Sequence, residues 1–191
     1  MKRPLIEKSP RKSFTRKDAI LKNRKGHCYM YLKRSRDFYW IVIGPDWYMS
    51  LFGILMISIL GSLIYLPIAT QLNLYGKISY LSLFGLTIFF YIACFLINPG
   101  ASPKREKLLY FEDIEKAPFG FCKQCNKERK KDMVHCEECD ICIEEHDHHC
   151  IWMGKCVGKG NKTFFYLFLF GLLFFFIFMI GIGLVSAIDA N

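Results

Sequence analysis

The sequence predicts an α-helical integral membrane protein with three transmembrane helices and a zinc-organised, cysteine-rich segment between the second and third. Three observations carry this reading. The chain has 191 residues, of which 52% are hydrophobic and 16% aromatic, yet 26 Lys+Arg against 17 Asp+Glu give a formal charge of +9. That charge is segregated: Trp47 to Gly76, Ile78 to Pro103 and Thr163 to Ile188 contain no Asp, Glu, Lys or Arg. As helices rising about 1.5 Å per residue, each stretch is long enough to cross a hydrocarbon core of roughly 30 Å. This excludes an intrinsically disordered chain and an ordinary water-soluble enzyme. Finally, seven of the nine cysteines fall between Cys122 and Cys156. An odd total, tight spacing and no secretory signal point to metal ligation in a reducing compartment rather than to disulfides.

The elements follow in order. Residues 1–46 are expected to form a basic cytosolic tail, since the first 36 hold 13 Lys or Arg with only Glu7 and Asp18 as acids. Helix one is expected over residues 47–69, entered through Gly44-Pro45-Asp46, with Trp40, Trp47 and Tyr48 as interfacial aromatics. A short connector leads to helix two over residues 78–97, which Asn98-Pro99-Gly100 ends because proline cannot continue the hydrogen-bond ladder. A polar segment, 98–162, precedes a Phe-dense helix three over 163–188 and a short tail, 189–191. The segments before helix one and after helix two hold 25 of the 26 basic residues, so the positive-inside rule makes both cytosolic. Asn161-Lys162-Thr163 matches a glycosylation sequon, but on this topology it stays unmodified.

The polar segment reads Cys122-x2-Cys125-x9-His135-Cys136-x2-Cys139-x2-Cys142-x3-His146-Asp147-His148-His149-Cys150-x5-Cys156. C-x2-C spacing lets two thiolates reach one tetrahedral ion at about 2.3 Å, and a Cys/His set this dense is a strong zinc signature. Seven Cys and four His are more than two closed four-coordinate sites need, so three ligand-type residues are left over. Counting alone does not say which three.

Asp147-His148-His149-Cys150 in this spacing, followed by Cys156 and Asn161-x3-Phe165, resembles the DHHC family of membrane protein S-acyltransferases (palmitoyltransferases). The resemblance implies one zinc on Cys122, Cys125, His135 and Cys142, and a second on Cys136, Cys139, His149 and Cys156. It implies a catalytic set of Cys150, His148 and Asp147. His146 lies outside the motif and reads as a surface or structural residue. It further implies palmitoyl-CoA or a similar long-chain acyl-CoA as co-substrate, and Trp152 beside the acyl chain. The implied setting is a multi-pass protein of an endomembrane (ER or Golgi) or the plasma membrane, with the zinc domain cytosolic. The expected partners are the bilayer and membrane-associated substrate proteins with cytosolic cysteines, with no nucleic acid.

The chemistry is consistent with the residue types. Both Cys3His sites are coordinatively full and carry a net charge of about −1, so zinc there folds a segment that lacks a core of its own. Cys150 is then activated by its neighbours: His148 takes the thiol proton and Asp147 orients the ring. Attack on an acyl-CoA thioester conserves the thioester in the acyl-enzyme, from which a substrate thiol accepts the chain in a two-step ping-pong transfer. CoA phosphates require cations, for which Arg129, Lys130, Lys131 and Lys155 are candidates, with Lys159 and Lys162 nearby.

Other positions read more simply. Cys94 is expected in the helical core, and Cys28, between basic clusters, as an inert thiol in a setting that permits S-acylation. The phenylalanines of helix three occur on every face and mostly contact lipid or neighbouring helices. Three departures from the family pattern stand out: Asn98 for Asp before Pro-Gly, Ile151 for Pro after the nucleophile, and Lys130 and Asp132 where Pro and Arg are usual. The family's fourth span and Thr-Thr-x-Glu motif are not found here. The alternative function is a non-catalytic membrane zinc scaffold of the same family, or a truncated inactive member.

Overall fold

The computed structural model describes residues 24–35, 38–103 and 118–189. Among the described residues, three helices are long and apolar enough to cross a membrane. Helix α1 spans Trp47–Ile68, α2 Leu74–Leu96 and α3 Lys162–Asp189. Helix α2 starts earlier than residue 78, because Asn73 caps it: its Oδ1 accepts from Gly76 N at 2.8 Å. The charge of Lys77 marked a boundary in the sequence, but a lysine in a first turn is compatible with a helix once the cap is in place.

Helices α2 and α3 pack along one seam. Tyr80, Phe84, Thr87 and Tyr91 recur at helical spacing and meet Phe168, Gly171 and Phe175. Tyr91 and Phe168 meet edge to face at 5.0 Å, and a Cβ on Gly171 would stand 3.0 Å from Thr87 Oγ1, so the glycine sets the closeness of the pair. Helix α1 joins through Tyr80, whose hydroxyl donates to Gly61 O at 2.6 Å.

The expected tail is not one throughout. Residues 1–23 lie outside those described, but from Arg24 the chain forms a three-stranded antiparallel sheet of β1 (Arg24–Lys25), β2 (Cys28–Ser35) and β3 (Phe38–Ile43), ordered β1-β2-β3. Strand alternation turns Cys28, Met30 and Val42 inward. They form one buried cluster with Cys136, Cys139, Ile141, Ile143 and Cys156. The basic composition concealed a period-2 apolar face. Cys28 is therefore 1% exposed, which removes it as an accessible acylation site.

The cysteine-rich segment is built of short strands: β4 (Ala101–Ser102), β5 (Phe121–Cys122), β6 (Lys127–Glu128), β7 (Val134–Cys136), β8 (Ile141–Ile143), β9 (His148–Cys150) and β10 (Lys155–Val157). They pair as β4-β8-β7, β5-β6 and β9-β10. Asn98 joins this layer to α2: its Nδ2 donates to Tyr39 O at 2.7 Å, while its Oδ1 accepts from Gly100 N and Ala101 N at 2.9 and 2.7 Å.

Candidate metal clusters and nucleophile

Two short hairpins sort the ligand-type residues. In β7, adjacent residues face opposite ways, so His135 and Cys136 enter different clusters. His135 pairs across the strands with Cys142, and with Cys122 and Cys125 these form the first cluster. Cys136 and Cys139 join His149 and Cys156, themselves a cross-strand pair of β9 and β10, in the second. The Cys139-x2-Cys142 spacing thus bridges two clusters rather than serving one. Asn126 and Asp140, just after Cys125 and Cys139, take φ of 49° and 52°, the left-handed turn that lets each C-x2-C loop close on itself.

The ligand atoms of each cluster lie within 4.8 Å of one another, and either cluster could bind a metal ion. A zinc ion held tetrahedrally by thiolates at about 2.3 Å and an imidazole at about 2.05 Å sets its ligands roughly 3.5–3.8 Å apart. In the second cluster His149 Nδ1 stands 3.4, 3.5 and 3.6 Å from Cys136, Cys139 and Cys156 Sγ, and the Cys139 and Cys156 sulfurs are 3.6 Å apart. In the first, Cys125 Sγ and His135 Nδ1 are 3.2 Å apart. Crowding also splits the acidities. Hydrogen bonding with Cys142 pushes the Cys125 thiol down to about 5, while the same contact pushes Cys142 up. Bonding with Cys136 lowers Cys139, and Cys156 is raised. Thiols this close cannot all ionise unless a cation sits among them, so the donor set fits zinc.

Both histidines turn their outer nitrogen to a carboxylate. His149 Nε2 lies 2.9 Å from Asp46 Oδ2, and His135 Nε2 lies 3.8 Å from Asp140 Oδ1. At hydrogen-bond distance, as for Asp46 and His149, such an outer carboxylate fixes the tautomer and orientation of a ligating imidazole, whereas 3.8 Å is too long for that bond between Asp140 and His135. Asp46 occupies the N-cap position of α1 but makes no side-chain cap bond, its carboxylate being engaged with His149. The sequence reading missed Asp46, since an acid before an apolar helix normally signals only a cap.

The same alternation that sends His149 to the metal side leaves His148 and Cys150 on the other face of β9. His148 Nδ1 lies 3.0 Å from Asp147 Oδ2. Lys162 Nζ lies 3.1 Å from the other oxygen, Oδ1, and chiefly through this bond holds the Asp147 carboxyl below its usual range. Cys150 belongs to neither cluster, is half-buried, and packs against Tyr91, Met153, Val157 and Phe168 at the tops of α2 and α3. The turn after it, Ile151–Met153, is held by Tyr91, whose hydroxyl donates to Trp152 O at 2.5 Å; the Trp152 side chain is 53% exposed.

The cations divide. Lys155 is fully buried, its Nζ donating to Val42 O and Ile97 O at 2.6 and 2.7 Å, and burial pushes it down to about 7. It is structural, and its assignment as a phosphate contact is corrected: the pairing of β9 with β10 points it into the protein. Lys130 is 69% exposed and bonds Glu144 at 2.5 Å; Lys159 sits 3.0 Å from Glu145. Lys131 is exposed, and Arg129 is half-buried with its Nε unpaired. His146 is half-buried with Nε2 likewise unpaired, and burial lowers its basicity. Asn161 is buried, its Nδ2 donating to Cys156 O and Cys94 O at 3.1 and 3.3 Å, so the sequon nitrogen is already engaged.

Residues 115–191 match the family model described as DHHC palmitoyltransferase. Among curated proteins, the chain is 39% identical over 89 residues to palmitoyltransferase ZDHHC18-A of Danio rerio, covering 44% of this chain and 19% of that protein. It is 41% identical over 71 residues to palmitoyltransferase ZDHHC14 of Mus musculus, covering 37% and 14%. With palmitoyltransferase AKR1 of Gibberella zeae it shares 34% identity over 97 residues, covering 47% and 13%. The aligned stretches span less than a fifth of the length of these relatives.

Proposed function

We propose, from the match of residues 115–191 to the family model described as DHHC palmitoyltransferase, that the chain is a membrane protein S-acyltransferase with Cys150 as nucleophile. The observation that carries the reading is that Cys150 stands outside both Cys3His clusters, half-buried, one residue past His149 and two past the Asp147–His148 pair.

His148, held by Asp147 through Nδ1, accepts the Cys150 thiol proton on Nε2. The thiolate attacks the carbonyl carbon of a long-chain acyl-CoA such as palmitoyl-CoA. The new C–S bond forms at Cys150, the bond to CoA sulfur breaks, and CoA leaves with the proton from His148. In the second half-reaction a substrate cysteine gives its proton to His148 and attacks the Cys150 thioester, and Cys150 leaves as the thiolate. The proton returns to Cys150, restoring the enzyme. Two structural zinc ions, on Cys122, Cys125, His135 and Cys142 and on Cys136, Cys139, His149 and Cys156, would supply folding rather than Lewis acidity, because four protein donors leave no open position. Arg129 and Lys131, with Lys130, remain candidates for CoA phosphates, and Trp152 for the acyl chain.

The Asp46–His149 contact joins residues on either side of α1 and α2, which supports placing the N-terminal sheet and the zinc segment on one side of the bilayer. Their basic excess favours the cytosol of an endomembrane or the plasma membrane, where membrane-associated proteins with cytosolic cysteines are the acceptors.

The test is incubation of the detergent-solubilised chain with tagged palmitoyl-CoA. Hydroxylamine-labile label on the native protein and none on Cys150→Ser is the expected result. Intact zinc binding with no label on either protein gives way to the scaffold reading.

A further inference from the structure

Lys162 is the first residue of α3, where a cation opposes the positive end of the helix macrodipole and contributes nothing to capping. A residue that works against its own helix is best explained by what its side chain touches. Its Nζ lies 3.1 Å from Asp147 Oδ1, while His148 Nδ1 lies 3.0 Å from Oδ2, so both oxygens of one carboxylate are engaged, one by each partner. Three residues on, and therefore on the same face of the helix, Phe165 sets its ring edge to face with His148, 5.3 Å between centroids at 67°. One face of one helical turn thus contacts both members of the dyad.

The backbone of that turn is anchored. Lys162 N donates to Gly158 O at 2.9 Å and Phe165 N to Asn161 O at 3.0 Å. Asn161 is buried and tied to Gly158 N, Cys156 O and Cys94 O. The neighbouring acid is occupied elsewhere: Lys159 takes Glu145 at 3.0 Å. With side chains 40% and 30% exposed, the Lys162–Asp147 pair is screened by solvent and contributes little to stability. Its effect is orientation.

We infer that Lys162 is a positioning residue for the acyl-transfer dyad: it fixes the Asp147 carboxylate by its far oxygen so that the near one aims His148 at Cys150. This rests on the S-acyltransferase reading and departs from the expectation that Lys162 meets CoA phosphates.

The test uses the full chain in detergent and two readouts at fixed pH: single-turnover acylation of Cys150 by palmitoyl-CoA, and alkylation of Cys150 by iodoacetamide, with Cys150→Ser as the blank. Lys162→Met is expected to lower the saturated acylation rate about tenfold without changing the half-saturating acyl-CoA concentration, and to slow alkylation in parallel. Lys162→Arg restores most of both. In an Asp147→Asn background, Lys162→Met has no further effect, because the two act as one unit. A rise in half-saturating concentration at unchanged rate makes Lys162 a phosphate contact and overturns the inference, as does an additive loss in the double variant. If the native chain takes no acyl label, the transferase reading fails. Alkylation still decides the placement of Lys162: unchanged reactivity in Lys162→Met refutes it, and a loss that Lys162→Arg restores upholds it.

Discussion

His149 turns its Nε2 onto the Asp46 carboxylate, 2.9 Å away and 103 residues distant in sequence. One ligand-type imidazole of the second cluster is therefore aimed from outside the cysteine-rich segment. Loss of such an outer carboxylate typically weakens metal affinity about 10–100-fold. Asp46→Asn is expected to make one of two zinc ions labile to a chelator while the other, on the first cluster, is retained. Equal release kinetics for both ions in variant and native protein would remove Asp46 from this role.

Asn98 has three hydrogen bonds on one buried side chain, to Tyr39 O, Gly100 N and Ala101 N. Its amide supplies a donor that the family-typical aspartate lacks, which accounts for the departure noted in the sequence. Asn98→Ala is expected to destabilise the protein by about 2–3 kcal/mol, since buried groups are left unpaired. A shift in the midpoint of an SDS-unfolding titration reads this directly. An unshifted midpoint contradicts it.

Lys155 joins β3 to the end of α2 through Val42 O and Ile97 O. Lys155→Met fills the space but leaves both carbonyls without a donor, at a cost of about 2–5 kcal/mol. The half-saturating acyl-CoA concentration of the folded fraction is expected to stay at the native value. A marked increase with unchanged stability would return Lys155 to the phosphate site.

Gly154 closes the turn after Cys150 with φ of 67°, and a Cβ there would meet Ser50 Oγ at 2.6 Å and Asp46 O at 2.9 Å. Its carbonyl accepts from Asp46 N at 3.2 Å. Gly154→Ala combines left-handed strain of about 1–2 kcal/mol with overpacking of similar size. Circular dichroism during heating should show a lower transition temperature, with partial loss of the second zinc because Asp46 is displaced. Native thermal behaviour and full zinc content would contradict this.

The three helices were legible because charge-free runs of 26 residues or more have few other uses. The two ligand sets follow the spacing of the resembling family, and short strands place exactly those side chains in two clusters. What escaped were long-range partners. The sheet of residues 24–43 was hidden by averaging charge over a stretch whose apolar residues alternate, and Cys28-x-Met30 with Val42 was the available signal. Lys155 and Lys162 looked alike as basic residues near Cys150. Only tertiary placement separates a lysine donating to buried carbonyls from one bridging a carboxylate.

The distance between Asp46 and His149 along the chain also has a consequence for biosynthesis. When Asp46 leaves the ribosome its partner is still 103 residues from being made, and two apolar helices intervene. The second cluster therefore assembles late, after α1 and α2 have emerged, and a nascent chain arrested before residue 149 presents Cys136 and Cys139 with half their ligand set.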